Sequence, residues 1–266
     1  MTSVLTSELA IRLGCFLGIL VLMAAAEAWL PRRVRSVGRA RRWPSNLGIV
    51  VLNTAVLRLA FPITAVALAT GMQGTGLLPW LGLPDWASVL AAVILLDLAI
   101  YLQHVLFHAV PGLWRLHRMH HADLDFDVTT GLRFHPVEIV LSMALKLMVV
   151  VALGAPPLAV LVFEVLLNAT AMFNHANLRL PPALDRALRT VLVTPDMHRV
   201  HHSVVPRETN SNYGFNLALW DRLFATYRAQ PEAGHAGMTI GIAQFRDPGE
   251  LRLDRMLTQP LRGPAP

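Results

Sequence analysis

Five apolar stretches govern what this chain can fold into: roughly residues 11–30, 47–70, 86–109, 139–153 and 158–173. A helix that crosses the hydrocarbon core of a bilayer needs about 20 residues at 1.5 Å each, so the first three can span and the last two are short. Gly154-Ala155-Pro156-Pro157 separates the short pair, as in a helical hairpin that crosses twice or dips in and returns. With 54% hydrophobic and 15% charged residues, the chain is too apolar for an ordinary soluble domain. The expected fold is an all-α integral membrane protein with about four to five transmembrane or re-entrant helices. Residues 1–45 read as an anchor and basic linker, 46–228 as the membrane-embedded main domain, and 229–266 as a peripheral tail. Residues 1–30 lack a basic start and a clear small-residue cleavage site, so the first stretch reads as a retained anchor.

Charge supplies an orientation. Arg32, Arg33, Arg35, Arg39, Arg41 and Arg42 follow the first stretch, against Arg12 before it. The positive-inside rule places that cluster in the cytoplasm. It reads as a topology signal beside anionic head groups, not as a nucleic-acid-binding surface.

On the same side fall the histidines. His104 and His108 are four apart, His117, His120 and His121 form an H-x2-H-H box, and His198, His201 and His202 form a second one. On a helix, spacings of three and four share a face, where imidazoles can converge on a metal. These eight and His175 make nine nitrogen ligands, more than one metal with an open position accepts. The count argues for two metals, held in a cytoplasmic, histidine-rich helical cap. Cys15 is the single cysteine, so neither a disulfide framework nor a cysteine-based metal site is available.

Around the boxes stand weaker candidates. Asp97, Tyr101, His104 and His108 form one helical stripe, and Asp97 is placed to accept a ligand's N–H and fix its tautomer. His175, in Asn174-His175-Ala176-Asn177, is a cap or a ligand; His135, in Arg133-Phe134-His135-Pro136, is similar, and His235 reads as a surface residue. Thr194 or Asp196 caps the helix of the last box. Asn212-Tyr213-Gly214 reads as a turn. Asn53 and Arg58 are polar residues in the second stretch that a transporter would need or that line a cavity.

Imidazoles without thiolates suit zinc, copper, iron or nickel. A membrane-interface site with no evident carboxylate base beside it fits oxygen chemistry on a lipid better than hydrolysis. A dinuclear zinc lipid hydrolase and a non-enzymatic metal-binding membrane protein or transporter are the alternatives.

The ordered set Asp97-x3-Tyr101-x2-His104-x3-His108, Leu113-Trp114-Arg115-x-His117-x2-His120-His121, Arg133-Phe134-His135-Pro136, Asn174-His175-x-Asn177, His198-x2-His201-His202, Asn212-Tyr213-Gly214 and Trp220-Asp221-Arg222-Leu223-Phe224 resembles the sterol desaturase / fatty acid hydroxylase family. The resemblance covers roughly residues 46–228. It implies an integral membrane oxidoreductase with a histidine-bound di-iron centre on the cytoplasmic face. Such an enzyme uses O2 as co-substrate to hydroxylate or desaturate a membrane lipid, with zinc as a possible substitute in purified protein. It implies His104, His108, His117, His120, His121, His198, His201 and His202 as ligands, and His175 as a ninth. Some members carry a further histidine where this chain has Ala171, leaving His135 or a water to fill that place. Asn177 and Asn212 would orient ligands or bound water. No NAD, flavin or haem motif is visible, so electrons would come through a ferredoxin, rubredoxin or cytochrome b5-like carrier with its reductase. Arg115, Arg118 and the tail arginines would dock it or contact head groups.

Overall fold

The computed structural model describes residues 7–263; the first six residues of the expected anchor and the last three of the expected tail lie outside it. The regular elements among the described residues are helices, and β-pairing is limited to isolated bridges. Five passes are long and apolar enough to cross a membrane. The first is α1 (Glu8–Trp29) and the second begins as α2 (Arg39–Ala60). Phe61, held extended before Pro62, breaks the second pass, which resumes as α3 (Ala65–Gly71) with the Thr64 hydroxyl accepting from the Ala67 N–H. The third pass is α4 (Asp85–Ala109). After the surface helix α5 (Pro111–His121), α6 (Pro136–Leu153) and α7 (Pro157–Asn174) form the short pair.

The short pair runs from the histidine end of the bundle to its remote end. Each helix has 18 residues, about 27 Å at 1.5 Å per residue. Their turn lands on the loop between the second and third passes, at the end remote from the histidines. There Gly154 has a φ of +60°, and a Cβ on it would stand 1.7 Å from the Thr75 carbonyl oxygen. Glycine is required on both counts.

The core lies where α4, α6 and α7 meet, among Leu96, Ile100, Val150, Ala159, Val160 and Phe163. α1 leans on α7. Outward faces carry large apolar side chains such as Leu13, Val21, Leu90 and Met148. Lipid tails cover such a belt at no cost, whereas water would not. This is a multi-pass membrane protein.

The arginine-rich segment lies at the histidine end, but as internal structure and not as a free basic patch. Arg42 is fully buried and donates to Asp123 at 2.7 Å and to Asp127 at 2.6 Å. Arg39 pairs with buried Glu27 at 2.7 Å, and Arg32 with Asp196 at 3.0 Å. Asp125 accepts from the backbone N–H groups of Ser36 and Val37. A guanidinium taken out of water needs such partners, and removing one from a fully buried pair costs about 3–5 kcal/mol. These charges are therefore fold determinants, Arg41 alone of the six being exposed.

The stretch expected to be a peripheral tail folds back over α5. Met256, in the helix Leu253–Thr258, packs on Ile49 and Met119. Buried Arg118 donates to the carbonyls of Gln259 at 2.6 Å and of Arg262, and Arg115 to those of Pro260 and Gly263. Both arginines thus hold this segment down.

Candidate metal centre

Each histidine box owes its placement to a helix start. Pro111 opens α5, which puts His117, His120 and His121 in its last two turns. Pro195 opens α8 (Pro195–His201), and of the two possible caps Thr194 is the one used, its hydroxyl accepting from the Met197 N–H. Asp196 instead pairs with Arg32 and Arg199. His104 and His108 close α4, and His175 caps α7.

The structure brings all nine histidines together as two clusters. His104, His108, His117, His121 and His201 form one, and His120, His175, His198 and His202 the other; within each, one nitrogen per ring lies within 4.8 Å of all the rest. The partition follows the helical period. The i,i+4 pairs 104/108 and 117/121 share the first cluster, the pair 198/202 belongs to the second, and His201 and His120 cross over. Eight of the nine are buried and His108 is half-buried.

Five of the nine rings are oriented from outside. In the first cluster, the Nδ1–H groups of His104 and His201 donate to the carbonyls of Tyr213 and Ser211, both at 2.7 Å. That of His117 donates to Glu138 Oε1 at 2.6 Å and that of His108 to Asn210 Oδ1 at 3.2 Å. His175 in the second cluster donates to its own helix at Ala171 O, 2.7 Å away. The Nε2 atoms face inward, 3.0–3.2 Å apart for the pairs 104/201, 104/117, 175/198 and 120/175. In the pairs 104/201 and 104/117 both rings place their proton on Nδ1, so the facing Nε2 lone pairs repel unless a cation lies among them, and the two groups of converging nitrogens fit two metals. Burial first, then neighbouring imidazoles, holds His120, His121, His198, His201 and His202 well below the ordinary histidine range; burial takes His175 to about 3. Neutral rings keep their lone pairs free for a metal.

The supporting residues differ from those expected. Asp97 orients no ligand: its Oδ2 accepts from Trp220 Nε1 at 2.8 Å and Leu217 N at 3.2 Å. Glu138 does that job for His117, so a carboxylate does stand beside the site; the sequence signal was a lone acid at the start of the fourth apolar stretch. His135 lies outside both clusters and caps α6, its Nδ1 accepting from the Val137 N–H. Asn177 ties the linker down through the backbone N–H and C=O of Arg33. Asn212, at a φ of +53°, bonds to Met197 O and Arg228 and so sets the carbonyls on either side of it toward His201 and His104. Asp221 accepts from the Tyr213 and Gly214 N–H groups and locks the same turn. His235 is buried beside Asp196 and not at the surface.

A cavity of about 230 Å³ lies against the first cluster, with His104 and His117 in its wall and mostly apolar side chains such as Ile100, Phe107, Leu132 and Phe215 around it. Asn53 lines it, whereas Arg58 is exposed.

The fatty acid hydroxylase family model matches residues 89–226, which hold all nine histidines, Glu138 and the 211–214 turn. Ornithine lipid hydroxylase OlsE of Rhizobium tropici is 30% identical over 159 residues, 59% of this chain and 47% of its own. Alkylglycerol monooxygenase of Homo sapiens is 31% identical over 173 residues, covering 63% of this chain and 36% of that protein. Cholesterol 25-hydroxylase of Rattus norvegicus is 28% identical over 168 residues, 62% and 54% of the two chains. The chain thus spans less than half the length of the first two. No solved structure matches it.

Proposed function

The chain belongs to the fatty acid hydroxylase family, and on that premise we propose that it is a membrane-bound, non-haem di-iron oxygenase. It hydroxylates or desaturates a C–H bond of a lipid, using O2 and electrons from a separate carrier. The observation that carries this reading is that His104 and His117 belong at once to a five-histidine cluster and to the wall of an apolar cavity. A lipid chain lying there meets the ligands of the candidate centre directly. The three relatives are named for the oxidation of ornithine lipid, alkylglycerol and cholesterol, which supports a lipid substrate for this chain as well.

In this reading the nine imidazoles hold two irons. Iron bound there supplies dioxygen activation and the oxidising power to break a C–H bond. The protein's part is to fix the rings through Glu138, Asn210 and the carbonyls of Ser211, Tyr213 and Ala171, and to keep bulk water from the reacting carbon with Phe134 and Phe215. Electrons come from a ferredoxin, rubredoxin or cytochrome b5-like partner, and the histidine end faces the cytoplasm. Glu138 removes the argument that no carboxylate is available for hydrolysis, so the choice against a dinuclear zinc hydrolase rests on the family and on the cavity.

Anaerobic loading of the purified protein with iron, with metal counting, Mössbauer spectroscopy and oxygen uptake, tests the proposal. Two coupled irons per chain and reductant-dependent oxygen uptake that yields oxidised lipid are expected. Two zincs that iron does not displace, with no oxygen uptake, would overturn it.

A further inference from the structure

The cavity is apolar in bulk, yet three of the residues that line it carry a buried oxygen with no hydrogen-bond partner among the described residues: Asn53 Oδ1, Gln103 Oε1 and Glu138 Oε2. They come from three different helices, α2, α4 and α6. For two of them the free atom is dictated by what the rest of the side chain does. The Asn53 amide donates through Nδ2 to the Phe134 carbonyl at 2.9 Å, which leaves Oδ1 as the unpaired atom. Glu138 commits Oε1 to His117, which leaves Oε2. Both residues are more than nine-tenths buried. Buried polar atoms are nearly always paired, so three unpaired acceptors on one cavity point to a donor brought by the occupant.

Their position says where on the occupant that donor sits. Glu138 touches His117, Gln103 precedes His104, and Asn53 bonds to Phe134, whose ring stacks on His120 with centroids 4.6 Å apart. The acceptors lie at the histidine end of the cavity and not at its remote end. We propose that the cavity selects a lipid with a hydroxyl or amide N–H close to the carbon that is oxidised, and that Asn53 Oδ1 is the specificity-determining acceptor. This rests on the oxygenase reading of the same site. An ether or ester oxygen offers no proton to these atoms and leaves them unpaired, which is how a polar wall rejects a close analogue.

Two probes of equal chain length isolate the effect: tetradecan-1-ol and its methyl ether, 1-methoxytetradecane. Retention of each tritiated probe is measured on iron-loaded, oxidised protein in nanodiscs, with no reductant present and empty nanodiscs subtracted. One good hydrogen bond predicts that the alcohol is retained about tenfold better than the ether. Asn53→Leu, with its metal content verified, should bring the two close to parity. Equal retention on the unmodified protein overturns the donor proposal while the lipid site stands, and a preference that survives Asn53→Leu overturns the assignment of the determining acceptor to Asn53. Retention of neither probe above empty nanodiscs overturns both.

Discussion

Glu138→Leu separates the two clusters experimentally. The Glu138 carboxylate accepts from His117 Nδ1–H at 2.6 Å in a nearly water-free setting and touches no other histidine of either cluster. A hydrogen bond to a charged group contributes about 1.5–3 kcal/mol, so its loss lowers metal affinity by roughly 10- to 150-fold. Losses of about 10- to 100-fold on removing a ligand's supporting carboxylate agree with that range. The effect should be selective, because His117 belongs to the five-histidine cluster and hydrogen-bonds to Glu138, whereas His104, His108 and His201 of that cluster are held by Tyr213, Asn210 and Ser211. Anaerobic titration of metal-free protein with Fe(II) against a chelator of known affinity should resolve one weakened and one unchanged equivalent. Glu138→Gln keeps an oxygen that accepts the Nδ1 proton and should lose less. Two unchanged affinities in Glu138→Leu, with the protein still folded, would refute the view that this carboxylate sets the ligand geometry.

His120→Ala should lose the metal of the four-histidine cluster, whereas His135→Ala should keep both metals and lose only a helix cap, about 1 kcal/mol of stability; metal counting on the pair decides, and metal loss from His135→Ala would return it to the ligand set. Burial alone would raise the Asp123 carboxyl, but the Arg42 guanidinium outweighs it and holds it at about 2, below the ordinary 3.8. A folded pKa lower than the unfolded one stabilises above the unfolded value, so about 2 kcal/mol is present above pH 4 and is lost as pH falls toward 2. Melting temperatures of detergent-solubilised protein should therefore drop between pH 5 and pH 3 by more than in Asp123→Asn, and equal drops would count against the pairing. Gly154→Val places a side chain against Thr75 O at a positive φ, and a loss of more than about 2 kcal/mol is expected in thermal unfolding; a neutral result would mean that the hairpin does not reach that loop.

Much of the bundle was legible because its signals are local. Apolar length marked all five passes, and Pro136, Pro157 and Pro195 set helix starts within a few residues of where the apolar or histidine pattern began. Histidine spacing is equally local, but it did not give the division into clusters: neighbours three apart were expected to converge with those four apart, whereas the pairs 117/120 and 198/201 are split between the two clusters. What was not legible depends on contacts between distant segments. Asp97 looked like the supporting carboxylate because it shares a helix with His104, yet the helix turns it toward Trp220. Glu138 supports His117 from another pass, a relation that exists only once α4, α5 and α6 have packed. The carbonyls of Ser211 and Tyr213 carry no side-chain signature at all, and Asn212, which aims them, looks like any turn residue.

The arginines show how one composition signal serves two purposes. Six of them after an apolar stretch give a correct indication that they and the histidines share an end of the bundle, because linker and cap are packed together through Arg42 and Arg32, while Arg39 ties the linker to Glu27 of α1. The same contacts remove most of that charge from the surface. Asp123, Asp125 and Asp127 follow directly on the His120-His121 pair and, with Glu27, take up the linker's arginines and backbone donors. The acids thereby fix the chain that leaves the first histidine box. Retention of the bundle is thus a matter of apolar length, whereas the shape of the cap depends on buried charge, and substitutions in the two should fail differently. Loss of a buried acid such as Asp123 should disturb metal binding in a protein that remains inserted in the membrane. Loss of apolar length in a pass should prevent insertion before any metal site forms.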